Sequence, residues 1–184
     1  YADLLEKNAF GTYRQLLQDV TLSVGMGSYL NMLGNRKEDT FTGRLPDENY
    51  AREVMQLFSI GLVQLNSDGT PRLNNGQTID SYSPQDISQL ASVFTGWERD
   101  RVDATDYAHV TRPMKHNIAN FQTGDKSVLG TTIAGSLSGP QALFLALDTL
   151  ANHPNVGPFM GRQLIQRYTM SHPSAAYVGR VAAV

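Results

Sequence analysis

The run from Pro46 to Gly61 constrains the fold most, because a start signal, an apolar stripe and a stop signal fall within one short segment. Pro46 and Asp47 supply a start and an N-cap, and Gly61 supplies the left-handed stop that a residue with a Cβ adopts reluctantly. Tyr50, Val54, Leu57 and Phe58 follow the i, i+4, i+7, i+8 spacing of one buried helical face. Glu48, Arg52 and Glu53 gather on the other side. Such a cluster either orients a ligand or locks the helix against its neighbours.

Helical spacing recurs along most of the chain. Leu4, Leu5, Ala9, Tyr13, Leu16, Leu17 and Val20 predict one kinked helix or two short ones over residues 3–20, with Gly11 weakening the middle by about 1 kcal/mol. Residues 21–33 repeat the pattern through Met26, Tyr29, Leu30 and Leu33, and Gly34-Asn35 closes it. Turn signals at Asn66-Ser67-Asp68-Gly69 and Asn74-Asn75-Gly76 predict a small β-hairpin or ribbon over 62–80. Ser83-Pro84-Gln85-Asp86 opens a helix buried through Ile87, Leu90, Ala91 and Phe94, which Gly96 stops just before Trp97. Residues 98–138 lack sustained periodicity and predict a long loop region. Helices resume at Pro140, with Leu143, Leu147 and Leu150 as an apolar stripe, and at Pro158, where Phe159, Met160, Leu164 and Tyr168 alternate with Arg162, Gln166 and Arg167. The expected fold is mainly α, an irregular multi-helix bundle. A chain of 184 residues fits one domain, 1–184. Its start at Tyr1 without methionine and its unfinished last helix predict a piece truncated at both ends.

Composition removes several function classes. There is no cysteine, which excludes disulfides, thiolate catalysis and Cys-based metal sites. A net charge of −2 gives no whole-protein attraction to phosphate, so nucleic acid is a poor partner. No apolar run approaches the roughly 20 residues that cross a bilayer. GxSxG, the P-loop and the dinucleotide glycine fingerprint are all missing.

The remaining candidates each carry a plain alternative. Glu48, Arg52 and Glu53, with Asn49 between them, can hold a metal or clamp an anion, or form an i, i+4 pair worth about 0.3–0.5 kcal/mol. His116, Asp125 and Lys126 gather in the long loop region, where a histidine near its neutral titration point is a common ligand. Neither HExxH nor a second nearby histidine accompanies them, which favours a structural role. His153-Pro154 ends a helix, where the imidazole can satisfy a terminal carbonyl. Arg162 and Arg167 can form a small anion site or face solvent. Trp97 and Tyr107 can form a stacking platform, although tryptophan after a helix stop is more often a core plug.

Several segments together resemble a bacterial family catalogued as "domain of unknown function 1800". They include Asn8-Ala9-Phe10-Gly11 with Tyr13-Arg14-Gln15-Leu16-Leu17, Glu48-Asn49-Tyr50-Ala51-Arg52-Glu53 with Leu57-Phe58, and Phe94-Thr95-Gly96-Trp97. They continue through His153-Pro154-Asn155-Val156, Arg162-Gln163-Leu164-Ile165 and Ser171-His172-Pro173-Ser174, in order over nearly the whole chain. The chain departs from many relatives at Asp47 and His172, where they carry asparagine. The resemblance implies a helical extracytoplasmic protein, periplasmic or secreted, longer than this chain at both ends. It implies no catalytic residue. It also implies a candidate partner, the family catalogued as "domain of unknown function 1501", which looks like a sulfatase-type or alkaline-phosphatase-type protein.

Three functions follow as expectations. The first is an accessory, structural or partner-binding domain. The second is a metal-dependent or hydrolytic enzyme with a polar site around Glu48, Arg52, Glu53, His116 and Lys126. The third is carbohydrate or polymer binding through exposed aromatics. The sequence requires no cofactor.

Overall fold

In the computed structural model, which describes residues 1–184, Thr12 and Ser23 divide the N-terminal helical pattern. Thr12 Oγ1 accepts the Gln15 N–H at 3.2 Å and Ser23 Oγ accepts the Met26 N–H at 3.2 Å. Each satisfies an orphan donor of a new helix, so the chain forms α1 (Ala2–Lys7), α2 (Tyr13–Leu22) and α3 (Val24–Tyr29). Of the two readings for residues 3–20, the structure has two short helices.

The central helix differs from its sequence pattern in its start and in the winding of its second half. It starts at Asn49, not Pro46, and Asp47 Oδ1 accepts the Asn49 N–H at 2.8 Å. After α4 (Asn49–Glu53) the backbone widens into a π-helix, Val54–Ser59, in which Ile60 N–H reaches the Met55 carbonyl at 3.0 Å and Ser59 Oγ donates to the Val54 carbonyl at 2.6 Å. The wider turn moves the buried stripe. Tyr50, Ala51, Val54, Met55 and Ile60 are buried, whereas Leu57 is 52% exposed. Gly61 stops the helix at φ +70°, and a Cβ there would lie 2.7 Å from the Phe159 ring. Both conformation and space require glycine.

The ribbon near 62–80 is present as β1 (Leu73–Asn74) paired antiparallel with β2 (Gln77–Thr78), flanked by Val63↔Asp80 and Leu65↔Pro71 bridges. Helix α5 (Pro84–Val93) buries Ile87, Leu90 and Ala91, with Phe94 just beyond its end, as the spacing predicts. The region 98–138 is not a featureless loop. It supplies β4 (Lys115–His116) to β3 (Trp97–Glu98), then the pair β5 (Lys126–Val128) and β6 (Thr131–Ile133), with short 3₁₀ turns between. Strands of two or three residues are too short to imprint a period on the sequence. Helices α6 (Gly139–Ala151), α7 (Val156–Tyr168) and α8 (Ala175–Ala182) complete a chain that is 46% helical and therefore mainly α. No helix is long and apolar enough to cross a membrane.

The chain divides into two compact units, Tyr1–Arg52 with Pro84–Thr149, and Glu53–Ser83 with Leu150–Val184. In the first, Tyr50 and Phe94 meet edge to face at 5.0 Å, and the Tyr50 hydroxyl pairs with Thr21 Oγ1 at 2.6 Å. Burial pushes that phenol's pKa up. In the second, α7 turns its small face to α8. A Cβ on Gly157 would lie 2.8 Å from the Ala182 carbonyl oxygen, and Pro158, Gly161 and Ile165 are the buried positions. This rotates the expected stripe, leaving Leu164 49% and Tyr168 80% exposed.

Candidate functional site

Gly96 sets the geometry around His116. At φ +82° its N–H donates to the Asn35 carbonyl at 2.8 Å and its carbonyl accepts the Asn117 N–H at 2.7 Å. The antiparallel register that follows places Trp97 opposite His116. Their rings meet edge to face at 5.2 Å, and His116 meets Phe121 the same way at 5.0 Å. Lys126 extends the row, its Nζ 4.8 Å from the Phe121 centroid and donating to the Gly124 carbonyl at 2.9 Å. The first residue of α6, Gly139, closes the far side. A Cβ there would lie 1.9 Å from His116 Nε2.

This cluster holds its charges down. Burial lowers the His116 pKa, with the Glu98 carboxylate opposing. Glu98 Oε1 is itself fixed by the side-chain amides of Asn117 at 3.0 Å and Asn120 at 2.6 Å. Burial likewise lowers the Lys126 pKa, opposed by Asp125, whose carboxylate accepts the Gly135 N–H at 2.7 Å. Trp97 Nε1 and His116 Nε2 are both buried without a hydrogen-bond partner. The arrangement pins three loops together by packing.

The other candidates stand apart from it. Glu48 and Arg52 form an i, i+4 ion pair at 3.1 Å with both side chains more than 40% exposed. No hydrogen bond, ion pair or ring contact joins that pair to His116 or Lys126. Glu53 is half-buried and Asn49 contributes its backbone N–H to Asp47. Arg162 donates to the Gly69 carbonyl at 3.3 Å, and Arg167 is exposed. Trp97 is 4% exposed, so it plugs the core and offers no stacking face, while Tyr107 is 79% exposed. No group of three or more His, Asp or Glu side chains is placed to hold a metal. Glu48→Gln is expected to change stability by less than about 0.5 kcal/mol in urea denaturation, since the lost pair is solvated.

His153 corrects a second expectation. Its Nδ1 accepts the Asn155 N–H at 3.1 Å in place of donating to a helix-end carbonyl. Only the neutral ring can accept, and burial lowers its pKa in the same direction. With folded pKa values below the unfolded ones at both His116 and His153, the unfolded chain binds more protons as pH falls. Stability is therefore full above the unfolded histidine value near 6.5 and is lost on acidification through the folded values. Thermal melts from pH 7.5 to pH 5 are expected to shift downward, and His116→Phe should flatten part of that slope.

The sequence reasoning missed Asn155, which is 2% exposed. Its Nδ2 donates to the carbonyls of Ile60 at 2.9 Å and Val63 at 2.7 Å and to Ser81 Oγ at 3.2 Å, and its Oδ1 accepts the Leu65 N–H at 2.9 Å. An asparagine one residue before an apolar helix start reads as an ordinary cap, so nothing in the spacing marks it. It fixes the chain leaving the π-helix to the ribbon that follows.

One family's sequence pattern, described as "Protein of unknown function (DUF1800)", matches residues 1–184. The chain belongs to the DUF1800 family. No match to a curated protein or to a solved structure was found. The residues that carried the resemblance occupy several sites in this DUF1800 chain: the central helix, the Gly96-Trp97 corner and the Asn155 clamp. Of these, Asn155 is explained by the four hydrogen bonds it makes within the fold.

Proposed function

We propose that the chain is a non-catalytic accessory domain that binds a protein partner outside the cytoplasm. One observation carries the reading: an open apolar groove of about 370 Å³ lined by Tyr1, Gly25, Met26 and Tyr29. Tyr29 is 76% and Tyr1 55% exposed. Tyrosine gives large contact area at small entropic cost, and methionine adapts to an irregular partner surface. The polar candidates, by contrast, are held by internal partners or stand alone. An enzyme would need Glu48, Glu53, His116 and Lys126 to meet one ligand, and no observation favours that.

The partner we propose is a protein of the family catalogued as domain of unknown function 1501, on the strength of the family resemblance. Co-purification of the intact protein with that partner tests the reading. A stable complex of defined stoichiometry is expected. Two species that migrate independently at micromolar concentration would count against it.

A further inference from the structure

We propose that a second cleft, beside the start of α4, binds a small ligand through an oxyanion, a carboxylate or a phosphate, held between Arg36 and Arg44. The cleft has a volume of about 310 Å³ and includes Asn31, Asn35, Leu45 and Asp47 with the two arginines. That is room for an anionic group with a modest body attached.

The walls are fixed before any ligand arrives. Asn35, 8% exposed, clamps Asp47 at two points, donating to its carbonyl at 3.1 Å and accepting its N–H at 2.9 Å. Across the cleft mouth Asp39 bridges Arg44, its N–H on the Arg44 carbonyl at 2.9 Å, and its Oδ1 accepts the N–H groups of Phe41 at 3.0 Å and Thr42 at 3.3 Å. Asn31, at φ +64°, is the left-handed residue that ends α3, a position asparagine fills readily.

Against that frame the cations are poorly neutralised. Arg36 is exposed and its guanidinium makes neither a hydrogen bond nor an ion pair. Arg44 reaches the Lys37 carbonyl only at 3.4 Å and the Asp39 carboxylate only at 3.7 Å. The one carboxylate in the wall, Asp47, accepts the Asn49 N–H at 2.8 Å and the Asn31 amide at 3.3 Å and pairs with neither arginine. Two guanidinium forks in a preformed cleft match an oxyanion, which accepts from both at once. Leu45, 69% exposed, offers an apolar edge to the body of the ligand. The proposal is independent of the partner groove, which uses other residues.

The test is an amide-resolved NMR titration of the full chain with inorganic phosphate and, separately, acetate, at constant ionic strength set by chloride. Saturating shifts confined to Asn31, Asn35, Arg36 and Asp47 are expected for at least one anion, and the stronger arm identifies the preferred oxyanion. Arg36→Gln should weaken that binding about tenfold or more, while Arg52→Gln, outside the cleft, should leave it unchanged. Arg36 supports nothing else in the fold, so the variant should melt like the parent chain. Shifts that never saturate, that spread over the surface with either anion, or that survive Arg36→Gln unchanged would overturn the assignment.

Discussion

Replacing Asn155 with alanine is expected to lower the unfolding free energy by about 3–5 kcal/mol, the largest loss from any single polar side chain here. The side chain is nearly inaccessible and serves four backbone or hydroxyl groups on the segment from Ile60 to Ser81. Alanine leaves the buried Ile60 carbonyl and the part-buried Leu65 N–H and Val63 carbonyl without their partner, and a fully buried group of this kind costs about 1–3 kcal/mol. Asn155→Asp should be no better. It keeps the acceptor for Leu65 but turns a carboxylate toward two carbonyl oxygens. Urea denaturation measures both, and a loss below about 1 kcal/mol for the alanine variant would mean that the clamp is redundant.

Gly139→Ala is the second large expected effect, about 2–3 kcal/mol of destabilisation from overpacking. The added methyl would lie 1.9 Å from His116 Nε2 and within 2.5 Å of two ring carbons. A long flexible side chain would swing away, but this ring is held between Trp97 and Phe121. Either the ring or the first turn of α6 must move. Removing the ring should therefore rescue the methyl: in His116→Ala/Gly139→Ala the two costs should sum to less than the single variants predict, by about 1–2 kcal/mol. Strict additivity in that cycle would show that His116 and Gly139 do not oppose one another.

Elements that rest on a local signal were legible in the sequence. The helix opened by Ser83-Pro84 buries Ile87, Leu90 and Ala91, with Phe94 beyond its end, and Gly61 and Gly96 stand at positive φ as their positions imply. The central helix was legible in kind but not in phase, because a π-helical stretch has no period that an α-helical stripe reveals, and Leu57 faces out as a result. The face of α7 was misread because two glycines, not the larger Leu164 and Tyr168, meet α8. Size is a poor guide where helices approach closely.

The candidate site was partly legible. His116 and Lys126, which the sequence gathers with Asp125, lie in one row, but Phe121 stands between them and Trp97 joins through a strand register between residues 97–98 and 115–116. No sequence spacing encodes a contact of that kind. Arg36 and Arg44 drew no attention because they lie in a charged loop, and only the bridge between Asp39 and Arg44 folds that loop into a cleft wall.

The central claim is that the chain works by binding through its apolar groove and not by chemistry at its polar residues. The most direct measurement is the affinity of the intact protein for the proposed partner, compared among the parent chain, Tyr29→Ala and Glu48→Gln. Truncating a tyrosine at the centre of an interface costs about 2 kcal/mol or more, roughly thirtyfold in affinity. The account predicts that loss for Tyr29→Ala and no change for Glu48→Gln; an unchanged affinity in Tyr29→Ala, or a loss that follows Glu48 alone, would contradict it.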